Sequence, residues 1–304
     1  MDFFFVGLNK KHFDVIVERQ LPVKPNILVA MNNMSYRVNM EIDELKSRGL
    51  IGKVALDSGT YTYQKKKNAD ASVLFYRFLE YAKLHKDKFD IIFSFDKVFT
   101  PDGFDENYEY LMELHGEGIP AFPVAHDLRS KDYAKLQELG HNQIAFGQDK
   151  DRNLVTLLSA NIELLIYGIQ KSHLLGIASP KLLMHIPVTS ADASSANQHA
   201  AFGRVNFYDP DKPYDIYGDH LRIPRKGHAE STDEKYVIKK NILLNWLESM
   251  GVNITWEDLK SDRATIFAVL INLLYYIRAS EIATKCHQDL IKFIFREHVD
   301  EEIV

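Results

Sequence analysis

Residues 144–192 decide the fold. They open on Ile144-Ala145-Phe146-Gly147-Gln148, pass through a helical pattern and return to His173-Leu174-Leu175-Gly176-Ile177. After the short connection Ser179–Pro187 they close on Val188-Thr189-Ser190-Ala191-Asp192. Each apolar run is short and apolar at consecutive rather than alternate positions, the pattern of a strand covered on both faces in a parallel sheet. Between the first two runs, residues 152–170 carry Leu154, Leu157, Leu158, Leu165 and Ile169 at helical spacing. The repeating phrase is strand, polar or glycine stop, helix, strand.

Upstream the same phrase recurs at Phe3–Leu8, Ile27–Met31, Val54–Leu56, Ile91–Phe95 and Ala121–Ala125, which makes eight runs in all. Asp70 can cap a helix carrying Leu74, Phe78, Tyr81 and Leu84. Ser130 can cap one carrying Tyr133, Leu136 and Leu139 that stops at Gly140. Eight strands alternating with helices predict an α/β protein, a (β/α)8 TIM barrel, with residues 1–304 in one domain and no linker. Two departures are visible. The helix between the seventh and eighth strands is barely two turns. Residues 203–230 read as an irregular Pro/Gly/Tyr-rich insertion, followed by a helix at Asp233–Ser249 and capping helices near 256–279 and 281–298.

Composition narrows the class. Of 304 residues, 46% are apolar and 26% charged, and the net charge of −5 argues against a uniformly cationic surface. Local basic runs, Lys65-Lys66-Lys67 and Arg222-Ile223-Pro224-Arg225-Lys226, still offer phosphate contacts on an acidic body. The lone Cys286 excludes an internal disulfide and a Cys-rich zinc site. The N-terminus lacks the basic and long apolar regions of a signal peptide, so the expected compartment is the cytoplasm. The most apolar stretch, Ile266 to Ile277, contains Asn272 and reads as a buried helix rather than a membrane span. No GxGxxG or GxxxxGK[ST] follows any strand, which weighs against a nucleotide-binding sheet.

In a TIM barrel the residues just past each strand form the active site. Here they are Asp57-Ser58-Gly59, Asp96, His126-Asp127, Gly147-Gln148, Gly176-Ile177 and Ser190-Ala191-Asp192. Three runs therefore end in a carboxylate at one mouth. Grouped carboxylates push each other's pKa values apart, so that one attacks while another exchanges a proton. This suits chemistry at a sugar anomeric carbon, and equally binding of a purine whose N–H groups want an anionic acceptor. Spacing alone leaves glycosyl transfer, hydrolysis and an aldolase-like reaction open. Two rivals stand beside these: a metal-dependent barrel hydrolase using His126, His173, His185 and Asp192, and a non-catalytic barrel that only binds DNA or protein.

The loops narrow the choice. Leu56-Asp57-Ser58-Gly59-Thr60-Tyr61 resembles the Asp-Ser-Gly-Gly-Phe-Gln signature of the queuine/archaeosine tRNA-guanine transglycosylases, and Phe93-Ser94-Phe95-Asp96 with Pro101 resembles their Ala-Phe-Asp-Glu-Cys segment. Phe122-Pro123-Val124-Ala125-His126 falls where that family has a glycine-flanked glutamine. Ala145-Phe146-Gly147-Gln148 matches the next strand end, and His173 to Pro180 is similar to Tyr-Leu-Met-Gly-Val-Gly-Thr-Pro. Ser190-Ala191-Asp192, with Asn197 and Gly203-Arg204 behind it, occupies the place of the nucleophile loop. The resemblance covers roughly residues 50–205. The family's cysteine-rich zinc subdomain is missing, Thr60 replaces its second glycine, and Pro-Thr-Arg is lost after Asp192. A compact, zinc-free chain looks more like the DNA-modifying branch of phages and bacterial defence clusters.

The resemblance implies exchange of guanine in DNA for a free 7-deazaguanine base of the preQ0/preQ1 type, with tRNA as the alternative polymer. No metal, organic cofactor or membrane is implied. Asp192 would attack C1′, Asp96 would accept from the N1–H and 2-amino group of the base, and Asp57 would act as general acid/base or a second polar contact. Tyr61 would stack on the base opposite Leu175, with Ser58, Gly59 and Gly176 lining its pocket. Gly147 would admit the backbone to the ring, Gln148 would contact its carbonyl, and His126 would replace the family's amide. A guanine flipped out of the stack would be followed by phosphate contacts from Arg204, Arg222, Arg225 and Lys226.

Overall fold

A computed structural model describes residues 1–31, 36–60, 70–98, 101–147, 153–169, 171–212, 214–224 and 229–296, apart from the side chains of 36–40, 101 and 296. Helices and strands alternate: β1 (Asp2–Val6), α1 (Lys10–Glu18), β2 (Asn26–Ala30), α2 (Tyr36–Ser47), β3 (Val54–Asp57), α3 (Ala71–His85), β4 (Ile91–Ile92), α4 (Phe104–Gly116) and β5 (Val124–Ala125). There follow α5 (Asp132–Glu138), β6 (Gln143–Phe146), α6 (Leu154–Ile166), β7 (Lys171–Leu174), α7 (Pro180–His185), β8 (Ser190–Ala193) and α8 (Ser195–Ala201). All eight apolar runs are strands of one curled parallel sheet in the order β4-β3-β2-β1-β8-β7-β6-β5. The hydrogen-bonded ladders stop between β4 and β5. There the sheet's two ends meet at one isolated parallel bridge, Phe93 with Phe122, where Ser94 N donates to Phe122 O at 2.8 Å and Phe122 N to Ile92 O at 2.7 Å. The closed ring expected from the sequence is thus a sheet with one unladdered junction.

Alternation along the strands sorts the core into two layers. Phe3, Phe5, Ala191, Ala193 and Leu174 face the helices and join the large outer core. Phe4, Leu28, Ala55, Phe93, Phe122, Val124 and Ala145 face inward and fill the space enclosed by the sheet. Register carries this parity around the curve. Phe4 pairs with Asp192, and His173 pairs with both Ala145 and Ser190, so His173, Ser190 and Asp192 share the inner face.

Several helix expectations need correction. Asp70 does cap α3, accepting from Ser72 N at 2.9 Å and Val73 N at 3.4 Å, but the buried stripe is Phe75, Phe78, Leu79 and Ala82, while Leu84 is exposed. Ser130 is not the cap of α5. That place belongs to Lys131 at φ +58°, and the Ser130 hydroxyl donates to Asp127 instead. The insertion is not irregular: β9 (Arg204–Phe207) and β10 (Asp219–Arg222) form an antiparallel pair. After α9 (Glu234–Ser249), the two expected terminal helices are one, α10 (Ala264–Arg296). By length and composition the whole helix could cross a membrane, where Ile266 to Ile277 alone falls short of a span, but most of that stretch is buried inside the protein, as the sequence reading expects. Tyr276 stacks on Phe3 of β1 at 5.0 Å, and Asn272, fully buried, bonds to β9. Helix α10 therefore covers the β1 side of the sheet.

Candidate active site

At the C-terminal ends of β1, β2, β3, β7 and β8 the sheet opens into a cleft of about 770 Å³, walled on its far side by the β9–β10 pair and Tyr276. That size suits a small ligand of nucleotide dimensions. Asp57 and Asp192 both line it, with Gly59, Gly176 and Arg204.

Asp192 is held from below. His173, on β7, is entirely buried among the inner-face side chains, its ring 4.5 Å from that of Phe93. Its Nδ1 lies 2.8 Å from Ser190 Oγ, and its Nε2 lies 3.0 Å from Asp192 Oδ1. Gly176 N donates to the same Oδ1 at 3.0 Å. Gly176 has φ +64°, which turns its amide back toward β8 and which side-chain-bearing residues rarely adopt. Oδ2 takes no hydrogen bond among the described residues. The serine, histidine and aspartate form a relay, but inverted relative to a serine hydrolase: the hydroxyl is buried and the carboxylate faces the cleft.

Asp57 ends β3. Burial pushes its carboxyl up to about 6, opposed by hydrogen bonds from the Gly59 and Ser58 amides and reinforced by the charges of Asp192 and Asp96. The three aspartates are therefore within electrostatic reach of one another. Asp96 sits beside the cleft rather than on its wall, in a small void under α4 and α5. One of its oxygens accepts from Ser94 Oγ at 2.9 Å, and the other lies 3.2 Å from His126 Nε2. Burial acts to lower the His126 pKa, but the charge and hydrogen bond of Asp96, with the charge of Asp132, outweigh it and raise it.

The remaining expected residues are dispersed. Ser58 is buried, its hydroxyl 3.0 Å from that of Thr60. Gly147, at φ +121°, abuts Leu174 and Ile177, and a side chain there would press on the β7 turn. Leu175 packs on the inner apolar cluster. Arg204 lines the cleft with its Nε donating to Asn206 Oδ1 at 3.1 Å, and Arg222 is its cross-strand partner on β10. Tyr61, Gln148, Arg225 and Lys226 lie outside the described residues, as do Lys65, Lys66 and Lys67. The ligand set of a metal hydrolase is scattered: His126 faces Asp96, His173 faces Asp192, and His185 Nε2 lies 3.0 Å from the Tyr217 hydroxyl. Among the described residues no group of three or more His, Cys, Asp or Glu side chains is placed to hold a metal ion.

Sequence reasoning missed the roles of His173 and Ser190, and also Asn206, Asn272, His199 and His220 at the far wall. The signal was parity: His173 falls on the inward face of an otherwise apolar strand, opposite Ser190 and two positions before Asp192's level. On β9 and β10, Val205, Phe207 and Leu221 are buried, while Arg204, Asn206, His220 and Arg222 alternate with them. Neither known protein families nor curated proteins give a match to this chain.

Proposed function

We propose that the chain is a base-exchange glycosyltransferase that replaces guanine in DNA by a free 7-deazaguanine through a covalent Asp192–glycosyl intermediate. In this reading the Phe93–Phe122 bridge is the eighth junction of a (β/α)8 barrel, and the cleft is its mouth. One observation carries the proposal. Asp192 presents to a nucleotide-sized cleft a carboxylate with Oδ1 doubly held and Oδ2 unengaged, across from an Asp57 whose carboxyl is pushed up by burial to about 6.

In the first half-reaction Asp192 Oδ2 attacks C1′ of a flipped nucleotide from the face opposite the base. The C1′–N9 bond breaks, its electron pair stays on the purine, and Asp57 supplies the proton that neutralises it. Guanine leaves and a glycosyl ester remains. The incoming 7-deazaguanine then gives its ring proton to Asp57 and attacks C1′, and the ester bond returns its electrons to Asp192. Asp96, which lies beside the cleft, reads the donor edge of either base once the β4–β5 junction opens, and His126 holds its carboxylate in place when the junction is closed. Arg204 and Arg222 face the phosphates.

The test is DNA carrying labelled guanine, incubated with candidate 7-deazaguanines while label release is followed, with tRNA in a parallel arm at the same ionic strength. Wild type should release label from DNA, and Asp192→Asn should release none while keeping its melting temperature. Release from tRNA alone would reassign the polymer. Near-native turnover by Asp192→Asn would remove the nucleophile and with it this mechanism.

A further inference from the structure

We infer that His173 is a positioning residue that selects which oxygen of Asp192 attacks; the inference rests on the exchange reading above. The argument begins with parity. On the inner face of β7, His173 stands directly opposite Ser190 of β8, and Asp192 is the next inward residue along β8. A ring placed there reaches both, and its two nitrogens do so at 2.8 Å and 3.0 Å. Among the described residues no other partner competes: His173 has no exposed surface and its ring also lies against those of Phe4 and Phe93.

An ionised carboxylate only accepts, so Nε2 must carry the hydrogen that it shares with Asp192 Oδ1. Gly176 N donates to the same oxygen. Two donors on Oδ1 fix the carboxylate's rotation and lower that oxygen's nucleophilicity, which leaves Oδ2 as the attacking atom. Ser190 in turn fixes the ring. A carboxylate free to rotate would present either oxygen at varied angles, and a misplacement of about 1 Å can cost about 100-fold in rate. The titratable groups that line the cleft with Asp192 include Asp57 from β3 and, on the far side, Arg204, His199, His220, Asp219 and three tyrosines. None of them holds Oδ1.

Two substitutions separate positioning from packing. His173→Gln places an amide nitrogen near the Nε2 position, and His173→Asn keeps a polar contact to Ser190 but is too short to reach Asp192. With folding checked by thermal melts, His173→Asn should lose about 100-fold in kcat for guanine release with little change in KM, and His173→Gln should recover most of that loss. Equal losses in the two variants, or wild-type kcat in His173→Asn, would overturn the proposal. A second readout needs no activity. Proton–nitrogen NMR of wild type should show a downfield His173 Nε2–H that moves upfield in Asp192→Asn. A bare Nε2 would also overturn the proposal. A chain that shows this resonance but releases no guanine from any nucleic acid would sink the exchange reading alone and leave the His173–Asp192 arrangement standing.

Discussion

Burial, with the charges of Asp192 and Asp96 adding to it, holds the Asp57 carboxyl up at about 6, against an ordinary value of 3.8. Between those two values the folded chain keeps a proton that the unfolded chain has released. The stability associated with the protonated group is therefore complete below about pH 4 and lost as pH rises through about 6, a difference of roughly 3 kcal/mol at most. Asp57→Asn should gain stability over wild type as pH rises from 4 to 6 and hold that gain above it. Thermal melts across the range check this, and a gain that is the same at every pH would show that Asp57 ionises normally. The same sign governs catalysis. If Asp57 supplies the proton to the departing base, guanine release should fall as pH rises through about 6. A release rate flat from pH 5 to 8 would take that role away. The placement of Asp57 and Asp192 at one cleft was legible because one ends its strand and the other is next to last in its own, where position alone gives the side chain its direction. His173 was not, because a single histidine in an apolar run carries no sign of whether it faces helices or the sheet interior until the register is known.

Among the elements, the β9–β10 pair explains most about the far wall of the cleft. Its apolar face, Val205, Phe207 and Leu221, is buried, and its polar face is tied to α10 by two buried asparagines. Asn272 Oδ1 accepts from Asn206 N at 2.8 Å and Asn206 Nδ2 at 3.0 Å, and Asn272 Nδ2 donates to Arg204 O at 2.9 Å and Ala196 O at 3.2 Å. Asn272→Leu removes all four partners at a site with no water access, so it should cost about 2–4 kcal/mol in denaturant unfolding. It should also loosen Arg204 and weaken nucleic-acid binding. A loss under about 0.5 kcal/mol would mean that the network is structurally idle. This pair was hidden in the sequence because four-residue strands with charged ends, set among prolines and glycines, do not rise above a loop pattern. The eight parallel strands were legible for the opposite reason: burial on both faces makes most positions apolar, as in Phe3-Phe4-Phe5 of β1 and Ile27-Leu28-Val29 of β2. The terminal helix runs through Ala279-Ser280 unbroken because Ser280 and Thr284 hydroxyls bond back to the carbonyls of Ile277 and Ser280 instead of capping a new helix. On α3 the expected stripe was right at Phe78 and partly so at Leu74 and Tyr81, which pack against the core. The other buried positions are Phe75, Leu79 and Ala82, since neighbouring residues fit a helical period equally and only the packing chooses.

At the scale of the whole molecule, the exchange reading proposed above sets a net charge of −5 against a polyanionic substrate. Binding then depends on the local field of Arg204 and Arg222 on one face of the hairpin rather than on overall attraction. Replacing both by alanine should weaken DNA binding and flatten the dependence of log affinity on log salt by about 0.9 per lost contact on duplex, or about 0.7 on single strands. An unchanged slope would move the nucleic acid to another face of the protein.

The junction between β4 and β5 has a consequence for how the molecule breathes. A curled sheet whose two ends meet at a single bridge has a preferred place to part, and here that place is the pair of amides Ser94 N and Phe122 N. Just beyond it, Asp96 from the β4 end and His126 from the β5 end reach across the same gap and act as a clasp. Since the His126 pKa is raised in the folded protein, the clasp is charged on the acid side and loses its attraction as pH climbs through that raised value. Amide exchange, corrected for its intrinsic pH dependence, should show Ser94 and Phe122 as the least protected of the inter-strand amides. Their protection should decline toward alkaline pH while the amides joining β1 to β2 and β8 hold theirs. The place where the sheet parts is also the place that holds Asp96, so in the exchange reading proposed above admission of a base to that aspartate and opening of the sheet become one motion.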